Sequence, residues 1–246
     1  ESGLDASPKY DAPLGLAEPT VDGLRAAMDG LFERYAPVRG DQQAMAALRI
    51  FDVEDVMVNA IYAQGRRDLA TVLDALGRGD DAAGCRASAE RTEAALLAQC
   101  WDANAGAFFD IWRTPDGDAP LRVLTITSLL PLWLESLPAA QAERLARTLS
   151  DTQTFATAFP APSVARCEPT YAPEAGLLWR GPTWLNTNWF LVHGLRRHGF
   201  DALAAHVAAS SRALVSRSGF REYYHPDTGE GFGARSFGWS SLVIDM

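Results

Sequence analysis

The sequence predicts an all-α fold, a barrel or array of helix pairs with small β-hairpins in its loops. Apolar residues recur at spacings of three and four along most of the chain. Alternating patterns are few and short, and consecutive helical stretches are joined by short connections that favour antiparallel neighbours. No fixed-period repeat is visible, which argues against a solenoid.

The first helical stretch runs from Thr20 to Tyr35, with Thr20 suited to cap its start. The next spans Phe51 to Leu76, where Val53, Val56, Met57, Ala60 and Ile61 begin a stripe that Leu69, Val72, Leu73 and Leu76 continue, and Gly77 offers a stop. Ala82 to Cys100 is amphipathic and ends at Trp101. Thr125 to Leu137 is stopped by Pro138, and Ala139 to Leu149 follows. Trp184 to Leu195 and Leu203 to Val215 form a last pair divided by Gly199. Two hairpins are expected. One joins Phe108–Trp112 to a turn at Pro115-Asp116-Gly117, and the other joins Glu222–Tyr224 to Asp227-Thr228-Gly229. Residues 6–18, 113–120 and 151–180 carry the loop composition. No linker or shift in composition divides residues 1–246, so one domain is the simplest organisation.

Composition narrows the function. Hydrophobic residues make up 48% and charged residues 22%, an ordinary globular balance. The 31 acidic residues exceed the 22 basic ones, for a formal net charge of −9. That sign disfavours nucleic acid and anionic membranes as partners, and no apolar run approaches the ~20 residues needed to span a bilayer. Cys85, Cys100 and Cys167 are odd in number and far apart, and the four histidines are scattered. A disulfide framework or zinc site is therefore not expected, and the thiols read as small buried hydrophobes. The first residue is Glu1 and the last, Met246, closes an apolar run, so a piece or processed product of a longer chain is expected. A cytoplasmic location is the default, although upstream sequence could hold a signal peptide.

Three blocks carry residues suited to chemistry. Glu1-Ser2-Gly3-Leu4-Asp5-Ala6-Ser7-Pro8 is an acidic, loop-like segment. Leu178-Trp179-Arg180-Gly181-Pro182-Thr183-Trp184 leads into Asn186-Thr187-Asn188-Trp189. Phe220-Arg221-Glu222-Tyr223-Tyr224 precedes a glycine-rich run to Gly233 and then Phe237-Gly238-Trp239. Glycoside hydrolysis needs two carboxyl groups flanking the scissile bond, ~6.5–9.5 Å apart when the configuration inverts, with aromatic faces beside the sugar. Each residue also has a plainer reading. Asp5 could close an Asx-turn or cap a helix, Glu222 could be an exposed strand carboxylate, and the tryptophans could be core.

These blocks resemble the bacterial branch of glycoside hydrolase family 63, the mannosylglycerate and glucosylglycerate hydrolase-like enzymes, distant relatives of trehalases. The Glu-Ser-Gly-x-Asp-x-Ser-Pro motif falls on Glu1 to Pro8, the Trp-Arg-Gly-Pro-x-Trp-x-x-x-Asn-Trp run on Trp179 to Trp189, and the Phe-x-Glu-Tyr-x-x-Pro-x-Thr-Gly-Glu-Gly-x-Gly run on Phe220 to Gly233. Asp55–Ala60 and Phe159–Val164 are weaker echoes. The family usually has Tyr where Leu178 stands and Ser where Gly238 stands.

The resemblance implies an (α/α)6 barrel, of which this chain supplies about seven or eight of twelve helices, with the first helices upstream of Glu1. It implies an inverting hydrolase of α-glucosides or α-mannosides that needs no metal or organic cofactor. Asp5 would be the general acid in a partly apolar setting, and Glu222 the general base. Trp179, Trp184, Tyr223 and Trp239 would line a sugar subsite, and Arg180 would bind hydroxyls or hold a carboxylate. A substrate carboxylate calls for a cation, for which Arg39 is the candidate, against its plainer reading as a solvated loop arginine. The stretch is expected to expose apolar helix faces and to be inactive alone. Two other classes stay open: a non-catalytic carbohydrate-binding or scaffolding toroid, and a sugar lyase or epimerase. The latter more often uses His or Tyr as base, and no histidine precedes His193.

Overall fold

The computed structural model describes residues 4–16, 19–114, 116–174 and 176–246. Glu1, Ser2 and Gly3 of the first block, and Pro115 of the first expected turn, lie outside them. Eight α-helices occur among the described residues: α1 (Asp11–Leu14), α2 (Val21–Tyr35), α3 (Gln42–Ala47), α4 (Val56–Ala75), α5 (Gly79–Ala95), α6 (Ala139–Ser150), α7 (Leu185–Arg197) and α8 (Asp201–Ser218). The cap expected at Thr20 forms, its Oγ1 accepting from Gly23 N at 3.0 Å. Gly77 ends the α4 stretch with φ +72°, a left-handed conformation that costs glycine little.

Three helical expectations need correction. The stretch from Phe51 begins as β1 (Val53–Glu54), and α4 starts only where Asp55 caps it, Oδ1 accepting from Val58 N at 2.9 Å. The stretch ending at Cys100 begins earlier, at Gly79, and its last turn widens into a π-turn over Leu96–Cys100. The stretch from Thr125 to Leu137 is a 3-10 helix, Ile126–Trp133. Pro131 inside it has no N–H to give to an α-helical ladder, and every residue from Ile126 to Leu132 is buried. The 6–18 segment also holds a 3-10 turn, Pro8–Tyr10, and α1.

Small sheets sit between the helices. β2 (Trp101–Asp102) pairs antiparallel with β3 (Ala107–Phe108). β4 (Ile111–Thr114) lies between β1 and β5 (Gly117–Pro120), with Trp112 opposite Val53 on one side and Ala119 on the other. Much of the expected 113–120 loop is thus strand. β6 (Arg221–Tyr224) pairs with β7 (Gly231–Arg235), the second expected hairpin.

The core centres on α7, whose Leu185, Leu191, Val192 and Leu195 are buried against the Ile126–Trp133 helix and α8. Approach there is close: a Cβ on Gly194 would lie 2.6 Å from the Leu132 carbonyl oxygen. The α4–α5 hairpin has its own small cluster of Ala70, Leu73, Ala82 and Cys85. A two-pronged ion pair from Arg67 to Glu93, at 2.6 and 2.5 Å, ties its helices together. Cys85 and Cys100 are buried, but Cys167 is exposed, contrary to expectation, and all three are free thiols. Val58, Tyr62, Leu69, Val72 and Leu76 are exposed along α4, and α2 and α3 bury none of their side chains. No helix among the described residues is long and apolar enough to cross a membrane.

Candidate active site

Glu222 is the second residue of β6, at an irregularity in the hairpin. Arg221 pairs with Arg235 and Tyr223 with Phe232, so one residue of β6 faces two of β7, Gly233 and Ala234. Such a bulge re-aims side chains and twists the strand. Here the Ala234 N–H donates to Glu222 Oε2 at 2.9 Å. Gly233 has φ +64°, and a Cβ on it would collide with the same Oε2. Trp239 Nε1 donates to the Glu222 carbonyl at 3.3 Å, and Ser240 Oγ donates to the Arg221 carbonyl.

An aromatic stack backs this strand. Trp179 and Trp184 are nearly parallel with centroids 4.0 Å apart, Tyr223 stacks on Trp184 at 4.8 Å, and Trp239 meets Trp184 edge-on at 5.5 Å. Trp184 is only 2% exposed, so its rings are spent on these neighbours, whereas Trp239 is half-buried. Backbone bonds join the block to the hairpin: Thr183 N donates to Tyr224 O at 2.8 Å, and Tyr224 N to Thr183 O at 3.0 Å. The Phe159–Val164 echo packs on the other side, with Ser163 N bonded to Pro182 O and Ser163 Oγ accepting from Gly181 N. Asn188 grips the same segment, accepting from Ala161 N at 3.1 Å and donating to Pro160 O at 2.8 Å.

Arg180 is buried and ion-paired to Asp11, which ties this block to the N-terminal segment. Asp5 lies on a turn of that segment, closed by Ser7 N donating to Leu4 O at 3.0 Å. Leu4 and Ser7 are buried, but Asp5 is exposed, which corrects the expected partly apolar setting. The next residue, Ala6, has φ +64°, a left-handed conformation that costs a non-glycine residue about 1–3 kcal/mol and persists only where surroundings enforce it.

Three residues on from Ala6 begins a buried ionic cluster absent from the sequence-based expectations. Lys9 Nζ lies 2.7 Å from Asp55 Oδ2, 2.7 Å from Asp110 Oδ2 and 3.3 Å from Thr127 Oγ1. Tyr10 Oη donates to Asp55 Oδ2 at 2.6 Å, and Asp110 Oδ1 accepts from Val56 N at 2.8 Å. Burial works against the Lys9 charge, but Asp110 and Asp55 outweigh it and hold the ammonium above the usual lysine range. Burial pushes Tyr10 up as well. Burial would also raise Asp55, yet Lys9 and the Tyr10 and Val58 donors bring it below the usual carboxylate range. For Asp110 burial prevails over Lys9 and the shift is upward. A signal for Asp110 was present in Phe108-Phe109-Asp110-Ile111-Trp112, since an acid flanked by large apolar residues must find a cation if buried. Lys9 gave none.

Arg39 is exposed after the Ala36–Val38 turn, and none of the contacts described above reaches it. Two cavities also lie elsewhere, one beside Glu54, Asn59 and Arg91, the other beside Trp101, Phe109 and Arg122. Among the described residues no cluster of three His, Cys, Asp or Glu side chains could hold a metal ion.

With this arrangement established, comparison with known proteins is decisive. The model of the mannosylglycerate hydrolase MGH1-like glycoside hydrolase domain matches residues 1–240. The chain belongs to that family. A mannosylglycerate hydrolase from Thermus thermophilus is 33% identical over 262 residues, covering 99% of this chain. The chain spans 61% of that relative's length. The crystal structure of a family 63 mannosylglycerate hydrolase from Thermus thermophilus with Tris and D-glycerate superposes with a TM-score of 0.86 at 30% identity. That match covers 99% of this chain and 63% of the solved one. Neutral trehalase Nth1 from Saccharomyces cerevisiae, at a TM-score of 0.60 and 16% identity over 76% of this chain and 36% of its own, shares the fold alone. The mostly helical architecture with small sheets is therefore that of the family 63 and trehalase enzymes.

Proposed function

We propose that this chain carries the catalytic face of an inverting glycoside hydrolase for α-mannosides or α-glucosides such as mannosylglycerate or glucosylglycerate, built on most of an (α/α)6 toroid. The observation that carries the reading is the joining of three motif blocks, distant in sequence, at one place. The Arg180–Asp11 ion pair ties the Asp5 segment to the tryptophan block, and the Thr183–Tyr224 bridge ties that block to the Glu222 hairpin.

In the proposed reaction Glu222 takes a proton from a water as its oxygen attacks the anomeric carbon from the β face. The bond from that carbon to the glycosidic oxygen breaks, and Asp5 gives the leaving oxygen a proton. The two protons balance, and the first product is the β-anomer. Trp179, Trp184, Tyr223 and Trp239 shape the sugar site. Trp184 does so from behind, because its faces are covered, while half-buried Trp239 is better placed for contact. Arg180 acts through Asp11. A substrate carboxylate still calls for a cation, for which Arg39 stays the candidate, and its exposed position adds no support.

The test is hydrolysis followed by NMR of the freshly released sugar, together with Glu222→Ala and Asp5→Ala. Glu222→Ala is expected to lower turnover of every substrate by about 10²–10⁴-fold. Asp5→Ala is expected to spare an α-glycosyl fluoride, whose leaving group needs no proton. An α-anomer appearing first would overturn the scheme.

A further inference from the structure

The reaction proposed above does not use Lys9, although its ammonium is buried and lies four residues after Asp5. Its two carboxylate partners share a location. Asp55 caps α4 through Val58 N, and Asp110 accepts from Val56 N, the first amide of the same helix. Both acids therefore sit where α4 presents free N–H groups and the positive end of its dipole. Lys9 is fastened to the start of α4 through them, with Tyr10 bonded to Asp55 as a second tether.

The chain between Lys9 and Asp5 has little freedom. Ser7, Pro8 and Lys9 are buried, Tyr10 N donates to Ser7 O at 3.1 Å, and Ser7 N donates to Leu4 O at 3.0 Å. Ala6, adjoining Asp5, is held left-handed, a conformation alanine abandons when its flanks are released. The only exposed side chain from Leu4 through Lys9 is that of Asp5.

We propose that the Lys9–Asp55–Asp110 cluster positions the general acid, fixing the Asp5 turn to the N-terminus of α4, and that Lys9 is a positioning residue for proton donation to the leaving group. The proposal rests on the assignment of Asp5 as the acid. A misplacement of about 1 Å in a reacting group can cost on the order of 10²-fold in rate. Loosening this anchor should therefore harm the reactions that need the acid and spare those that do not.

The experiment compares an α-glycoside with a poor leaving group and the corresponding α-glycosyl fluoride, using the intact protein. Lys9→Met paired with Asp110→Asn removes one positive and one negative charge together, so no new net charge is buried. Its kcat on the glycoside is expected to fall about 10–100-fold with KM changed less than about threefold, while fluoride turnover stays within about threefold. Asp55→Asn, which keeps an oxygen to cap α4, should give a smaller loss of the same selectivity and serves if the double variant does not fold. Equal losses on both substrates would show that the cluster serves the fold alone, and unchanged glycoside turnover would show that the anchor is dispensable. Either result overturns the proposal. Asp5→Ala is the control. If it harms both substrates equally, the acid assignment fails and the positioning role falls with it. If it spares the fluoride while the cluster variants do not, only the positioning role fails.

Discussion

The two proposed catalytic carboxylates are held by different physics. Glu222 stands on a hairpin fixed by backbone hydrogen bonds, a bulge and stacked aromatic rings. Asp5 stands on a short turn fixed by buried charges, those of Lys9, Asp55 and Asp110, with Arg180 and Asp11 nearby. The first kind of support is neutral and sums many small contacts. The second concentrates its strength in a few ions, each of which becomes a liability when its partner is lost. One face of a protein can thus combine a support indifferent to pH with one that responds to it.

The largest effect expected from breaking this contrast is that of Lys9→Met alone. It strands two buried carboxylates and should cost about 3–5 kcal/mol of stability, read by urea denaturation. A loss below about 1 kcal/mol would mean that the ionic support is no stronger than a surface pair.

Gly233→Ala probes the neutral side. Strain at a left-handed residue costs about 1–3 kcal/mol, and the new Cβ collides with Glu222 Oε2. Urea denaturation should show a loss in that range, and kcat should fall on the glycoside and the fluoride alike, because both need the base. Sparing of the fluoride would put Glu222 in the wrong role.

The smallest effect is in the pH dependence of stability. Asp55 titrates lower in the folded protein than unfolded, so its contribution is present above about pH 4 and lost as pH falls through the folded value. Asp110, shifted upward, takes its proton earlier on the descent, and folding gains slightly there. Lys9 is shifted upward, so its contribution is complete below about pH 10.4 and lost only as pH rises through the higher folded value. Tm measured against pH should fall below pH 4, and Asp55→Asn should flatten that limb. An unchanged acid limb in that variant would place the sensitivity elsewhere.

Much of this was legible in the sequence, for identifiable reasons. Helices α6 and α8 follow apolar spacing and α2 its cap at Thr20, which are properties of neighbouring residues. The 3-10 helix at Ile126–Trp133 could not be read that way. Burial on all sides erases the periodic contrast, and only Pro131 hinted at a departure from α geometry. The motif blocks marked Glu222 and the tryptophans, but that Trp184 is enclosed between Trp179 and Tyr223 follows from tertiary packing alone. Lys9 was hidden for the same reason, since its partners lie 46 and 101 residues away.

The extra residue in β7 has a consequence for how this protein can diverge. Gly233 and Ala234 together answer Glu222, so the hairpin depends on its length there. Deleting one of the pair would restore one-to-one pairing, with Arg235 still opposite Arg221, and would remove the bulge that re-aims Glu222. It would also disturb the Ala234 amide that now donates to Glu222 Oε2. A lineage could vary the exposed side chains beyond the bulge, yet a single lost codon at it would unseat Glu222.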